Sequence, residues 1–108
     1  MSIEIHPSAF KAMQGFPPEV LIEAKEAFGF LEAGEKLSMP LSKPMPSIWS
    51  GCHELRIGSK QGTFRIFYVF VVRGIIFVPH CFKKKAQKTP RNELVVAQRR
   101  IKEFLNGS

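Results

Sequence analysis

The sequence contains no aspartate: all nine of its acids are glutamates, which weakens any case for a magnesium site. Cysteine is nearly as scarce, with only Cys52 and Cys81. They could pair only if their strands were neighbours in register, and a reducing compartment would keep them thiols. Zinc is poorly served, because Cys52-His53 and His80-Cys81 are adjacent pairs whose side chains leave a strand on opposite faces. The two cysteines are therefore expected to be small strand residues. No apolar run reaches the ~20 residues of a membrane span; the longest, within residues 66–82, is interrupted by Arg73. No basic segment followed by an apolar one opens the chain, so no signal peptide is expected. These absences point to a soluble, cytoplasmic protein with no metal, no other cofactor and no membrane partner.

Negative charge is also missing from one long span. Residues 1–50 hold four Lys/Arg against six Glu, and residues 51–108 hold twelve against three. Between Glu54 and Glu93 there are nine basic residues and no acid. A lysine-rich surface is often only solvated, but an acid-free span of this length is better explained by a polyanionic partner.

What is there in abundance is apolar strand sequence. Two runs, Thr63 to Val72 and Ile75 to Phe82, flank Arg73-Gly74, where glycine supplies the positive φ that a tight hairpin needs. Phe64, Ile66, Tyr68 and Phe70 alternate to one side, and Phe67, Val69 and Val71 to the other, so both faces of this central hairpin must be at least partly covered. Arg65 shares the second face. Its desolvation calls for an anion, which makes it a candidate phosphate ligand.

Around the hairpin the remaining elements follow. Ser2 to His6 alternates as a short edge strand ended by Pro7. Residues 8–14 suit one or two helical turns, and Pro17-Pro18 opens a helix whose apolar positions Val20, Leu21, Ala24, Ala27, Phe28 and Leu31 recur until Gly34. The prolines at 40, 44 and 46 mark residues 34–51 as a surface connection, with Trp49 read either as a base-stacking platform or as a plug at the end of the core. Cys52 to Ile57 returns to strand, placing Cys52, Glu54 and Arg56 on one face. If Arg56 stands opposite Arg65, the two repel unless an anion sits between them. Thr89-Pro90 starts a last helix with an apolar stripe of Leu94, Ala97, Ile101 and Phe104/Leu105. The expected fold is α+β: a small antiparallel sheet of three to four strands packed with an N-terminal helix or helical hairpin and a C-terminal helix. At this length a single domain, residues 1–108, buries roughly two-thirds of its unfolded surface.

The ordered series Trp49…Glu54-Leu55-Arg56, Gly62-x-Phe-Arg65-Ile-Phe-Tyr68, His80-Cys-Phe82-Lys83-Lys84-Lys85-Ala-Gln-Lys88-Thr-Pro90 and Ala97-x-Arg99-Arg100 resembles the HigB-like, phage-associated branch of the RelE/ParE toxin superfamily. The resemblance covers about residues 17–105. It implies a type II toxin that cuts mRNA in the ribosomal A site and is neutralised by a helix-turn-helix antitoxin. ParE-type relatives instead inhibit DNA gyrase, and a basic RNA-binding domain without activity is a third reading.

A metal-free ribonuclease must take a proton from the 2′-hydroxyl, stabilise the phosphorane and protonate the 5′-oxygen. By resemblance, Arg65 is the first choice for the scissile phosphate and Arg56 the second, with Lys84 of the basic strand exit holding phosphate or protonating the leaving group. His53 and His80 have the right ordinary pKa, although a lone strand histidine is more often structural; His80 completes the catalytic candidates. Lys60, Arg73, Lys83, Lys85, Lys88 and Arg91 are the expected RNA contacts. The aromatic acid–base residue that RelE carries after the lysine cluster is absent, Thr89-Pro90 standing near that position. As a groove residue, Arg65 is expected to be removable at no cost to the core.

Overall fold

The computed structural model describes residues 1–71, 74–85 and 88–107. Its elements run β1 (Ser2–Ile5), α1 (Pro7–Met13), α2 (Pro18–Glu32), β2 (Ser42–Pro44), β3 (Cys52–Ser59), β4 (Gly62–Val71), β5 (Ile75–Lys84) and α3 (Arg91–Leu105). They build one sheet in the order β1-β5-β4-β3-β2. The α+β class is as expected, and α1 with α2 forms the N-terminal helical pair. The sheet differs in having five strands, and it is mixed because β1 lies parallel to β5 while the other pairings are antiparallel. Two edges account for this. β2 is three residues long, and an edge strand tolerates the proline that argued against it. β1 reaches β5 across the whole intervening chain, a pairing that local periodicity does not encode.

Both faces of the central hairpin are covered. On one, Leu55, Ile57, Phe64, Ile66, Tyr68, Ile76, Val78 and Cys81 meet the buried stripe of α2 (Val20, Ala24, Ala27, Phe28, Leu31) and Ala9 and Met13 of α1. On the other, Cys52, Phe67, Val69, Phe77 and Phe82 meet Ala97 and Ile101 of α3, with Ile48 and the half-buried Trp49 closing the cluster. Trp49 thus sits at the border of the second core. The cysteines are buried on opposite faces, and burial pushes both thiols up to about 12.

The alternation along β5 is interrupted. Val69 pairs with Phe77 and Phe67 with His80, so β5 spends three residues where β4 spends two. The extra residue is a bulge, and it accommodates the fully buried Pro79 within an inner strand. Beyond it Lys84, His80 and Phe82 share the α3 face, while Lys83 pairs with Phe64 on the opposite one. The tip of the hairpin, Val72 and Arg73, lies outside the described residues.

A buried hydrogen bond between the Ser42 and Tyr68 hydroxyls ties edge strand β2 into the first core. Tyr68→Phe leaves the Ser42 hydroxyl, 1% exposed, without that bond. The expected cost is about 1–3 kcal/mol, read as a lower urea midpoint at unchanged m-value.

Candidate functional site

α3 and the 45–52 segment leave part of the second sheet face open at the end where β3, β4 and β5 carry their charges. Arg56 and Arg65 face each other directly across the β3–β4 pair, and Thr63 faces Lys84 across β4–β5. By strand alternation all these side chains leave the same face. A cleft of about 270 Å³ opens there, lined by Lys43, Met45, Glu54, Arg56, Lys84, Lys88, Thr89 and Leu94.

The floor of this cleft is a carboxylate. Glu54 is 3% exposed, and its Oε1 lies 3.6 Å from Arg65 Nε and 3.8 Å from Arg56 Nε. Its Oε2 accepts a hydrogen bond of 3.0 Å from the Thr89 hydroxyl. The anion that two facing arginines require is therefore supplied by the chain itself. Glu54 and Thr89 were not among the residues expected to act. The signal for Glu54 was present, because it alternates onto the face of Arg56 two residues away in the same strand.

Arg65 is 6% exposed, and its Nε is buried without a hydrogen-bond partner, since 3.6 Å to Glu54 is contact distance for an ion pair but too long for a hydrogen bond. Burial pushes its pKa down, Glu54 opposes the shift and Arg56 adds to it. Burial likewise lowers the Lys84 pKa below the usual lysine value, with Arg65, Arg56 and Lys43 acting in the same direction and Glu54 against. Glu54 with its two arginines carries net +1, and Lys43, Lys84 and Lys88 add to it, so the cleft is cationic around one internal acid.

His80 lies elsewhere on this face. Its Nε2 is 2.8 Å from Glu93 Oε1, and Arg100 Nη1 donates to its Nδ1 at 3.3 Å and to the Pro79 carbonyl at 3.1 Å. An arginine only donates, so Nδ1 is the acceptor and Nε2 carries the proton given to Glu93. Both ring nitrogens are thereby engaged in holding α3 to the bulge, and the ring stacks on Phe82. Among the expected RNA contacts, Lys88 lines the cleft with Lys84. Lys85 is exposed just beyond β5, and Arg91 is exposed at the first residue of α3. Lys60 is exposed in the β3–β4 turn, and Lys83 stands on the opposite face, near Gly62. Arg73 lies outside the described residues.

The burial of the Glu54–Arg65 pair corrects the expectation that Arg65 is dispensable to the fold. Removing one member of a buried ion pair leaves the other desolvated and typically costs about 3–5 kcal/mol. Arg65→Ala is expected to lose stability on that scale. The Arg56 side chain is 31% exposed, and Arg56→Ala should cost no more than about 1 kcal/mol. Urea titration of the two variants checks the contrast; equal costs would contradict the placement of Arg65 beneath the cleft floor.

No helix among the described residues is long and apolar enough to cross a membrane. A comparison with curated proteins finds no match. The family model described as phage-derived protein Gp49-like (DUF891) matches residues 11–102, which includes every residue of the cleft. The chain belongs to this Gp49-like family, a family associated with the toxins of toxin–antitoxin systems.

Proposed function

We propose that this protein is the toxin of a type II pair and acts as a metal-independent endoribonuclease on mRNA in the ribosomal A site, in the manner of the RelE and HigB-like toxins its motifs resemble. In this reading it is a single cytoplasmic domain of residues 1–108, silenced by a helix-turn-helix antitoxin. The observation that carries the proposal is the hydroxyl seated on Glu54. Thr89 Oγ1 donates to Oε2 while the two arginines flank Oε1. A ribose 2′-hydroxyl has the same chemistry as the threonine hydroxyl and can replace it on the carboxylate.

The steps then follow from the chemistry of the groups. Glu54 takes the 2′-hydroxyl proton, and the 2′-oxygen forms a bond to phosphorus. The phosphorane gains negative charge, which in this reading Arg56, lining the cleft, and the Arg65 charge beneath its floor offset. Such preorganised donors act more strongly on the transition state than on the ground state. Lys84, whose lowered pKa makes it a better acid than an ordinary lysine, gives its proton to the 5′-oxygen as the P–O5′ bond breaks. The products are a 2′,3′-cyclic phosphate and a 5′-hydroxyl. Lys43 and Lys88 hold flanking phosphates, and His80 keeps α3 in place.

Induction of each variant with primer extension on abundant transcripts tests the proposal. Wild type should give new 5′ ends within translated regions. Glu54→Gln should lower cleavage by about 10²–10⁴-fold, and Arg65→Lys, which keeps the buried charge pair, by about 10²-fold or more. Growth arrest with intact transcripts and loss of gyrase supercoiling would establish the ParE-type activity instead. RNA bound but not cut would establish the non-catalytic domain.

Two further measurements probe the cations. If protonated Lys84 is the acid, activity falls as pH rises through its lowered pKa, and Lys84→Arg, which does not titrate in that range, should remove this alkaline limb. A limb retained in Lys84→Arg would assign the proton to another group. Neutralising Lys84 and Lys88 together should flatten the salt dependence of single-strand binding by roughly 0.7 per lost phosphate contact. Neutralising Lys83, on the other face, should leave the slope unchanged.

A further inference from the structure

The sheet face opposite the cleft holds a second, smaller cavity of about 240 Å³, lined by Lys36, Leu37, His53, Tyr68 and Phe70. Strand alternation puts His53 on the α2 face while its neighbour Glu54 faces the cleft, so the two sites lie on opposite sides of the sheet. Three aromatic rings line the cavity. His53 lies nearly parallel to Tyr68, with centroids 5.2 Å apart and planes 11° apart. Phe70 stands edge-on to both, at 5.6 Å from His53 and 5.8 Å from Tyr68. Tyr68 is buried and its hydroxyl is tied to Ser42, so this wall is held in place before any ligand arrives.

The hydrogen bonding of His53 defines what the wall can recognise. Its Nδ1 is 3.2 Å from the Gly51 carbonyl oxygen. A carbonyl only accepts, so Nδ1 carries the proton, and in the neutral ring Nε2 is an acceptor. Among the described residues Nε2 has no hydrogen-bond donor. His53 and Phe70 are half-buried, Leu37 adds an apolar side, and the exposed Lys36 puts a cation at the rim. The volume is below the ~300 Å³ at which pockets begin to enclose drug-sized ligands, and it suits one flat ring system.

We propose that this cavity is a nucleobase site: a planar heteroaromatic ring stacks on Phe70, which stands at 88° to His53, donates an N–H from its edge to His53 Nε2, and carries a phosphate that Lys36 attracts. Aromatic side chains accept any base on its π-face, and the lone acceptor selects an edge that presents a donor. The site is independent of the cleft and of the activity proposed there. The ligand chemistry is shared by a free nucleoside monophosphate and by a base within a single-stranded RNA.

NMR titration of the isotope-labelled full chain separates these cases, because resonances of His53, Phe70 and Lys36 report on this cavity and those of Lys43, Lys84 and Lys88 on the cleft. The probes are cytidine, CMP and a short single-stranded oligonucleotide. Saturable shifts at His53 and Phe70 with CMP are expected, weakened roughly tenfold or more by Phe70→Ala through the lost stacking. His53→Phe keeps an aromatic ring in the wall and removes the acceptor, so it should bind more weakly than wild type. Lys36→Ala should weaken CMP and leave cytidine unchanged. Shifts at the cavity with the oligonucleotide alone would support the site and identify a strand base as its source. Shifts confined to the cleft lysines, or affinity at the cavity unaltered in both Phe70→Ala and His53→Phe, would overturn the proposal.

Discussion

The burial of Glu54 between Arg56 and Arg65 is the constraint around which the open end of the sheet is arranged. Two guanidinium groups facing each other across an antiparallel pair repel, and like charges directly opposite are destabilising. One carboxylate within 3.6 and 3.8 Å of the two Nε atoms offsets that repulsion and leaves the trio with net +1. It also gives the buried Arg65 the counter-charge without which its desolvation would be prohibitive. The second oxygen of Glu54 reaches Thr89 and so ties the segment after β5 to the sheet floor. A charge-neutral core could have been more stable. The retained ion cluster is accordingly the place where function is to be sought.

The bulge at Pro79 decides which cations join that cluster. Without the extra residue, alternation from Phe77 would carry Lys83 to the α3 face and Lys84 to the α2 face; with it, Lys84 stands beside the arginines and Lys83 does not. The same irregularity frees the Pro79 carbonyl for Arg100 and turns His80 toward Glu93, so α3 is anchored where the strand is disrupted. One residue of slippage thus positions both a titratable lysine and the helix that closes the second core.

Much of this was legible in the sequence. The two-faced apolar hairpin, the α2 stripe ended near Gly34, the strand of Cys52–Ser59 and the last helix after Pro90 each follow from local periodicity and from proline or glycine at a boundary. The facing of Arg56 and Arg65 follows from alternation on two strands joined by a short turn. Three features did not follow. β2 was hidden by its proline and its length, and the parallel pairing of β1 is a long-range choice. The division of the lysine cluster between faces depended on the bulge, whose one local sign was a proline in a strand too apolar to be an edge. Thr89 was beyond reach altogether, because its contact with Glu54 joins residues 35 apart.

The cluster also couples stability to action. Arg65 is 94% withdrawn from water and still has an unsatisfied Nε, a combination that stability alone disfavours because a buried donor without an acceptor is costly. Under the proposed function, an incoming phosphate at Arg56 shares with Glu54 the arginines that the carboxylate now holds alone. Under that proposal, binding of an anion and engagement of Glu54 are one rearrangement of three charges. The groups that are costly to bury in the free protein are, under the same proposal, those that a phosphodiester engages, which is the condition for spending binding energy at the reacting centre and not on the ground state.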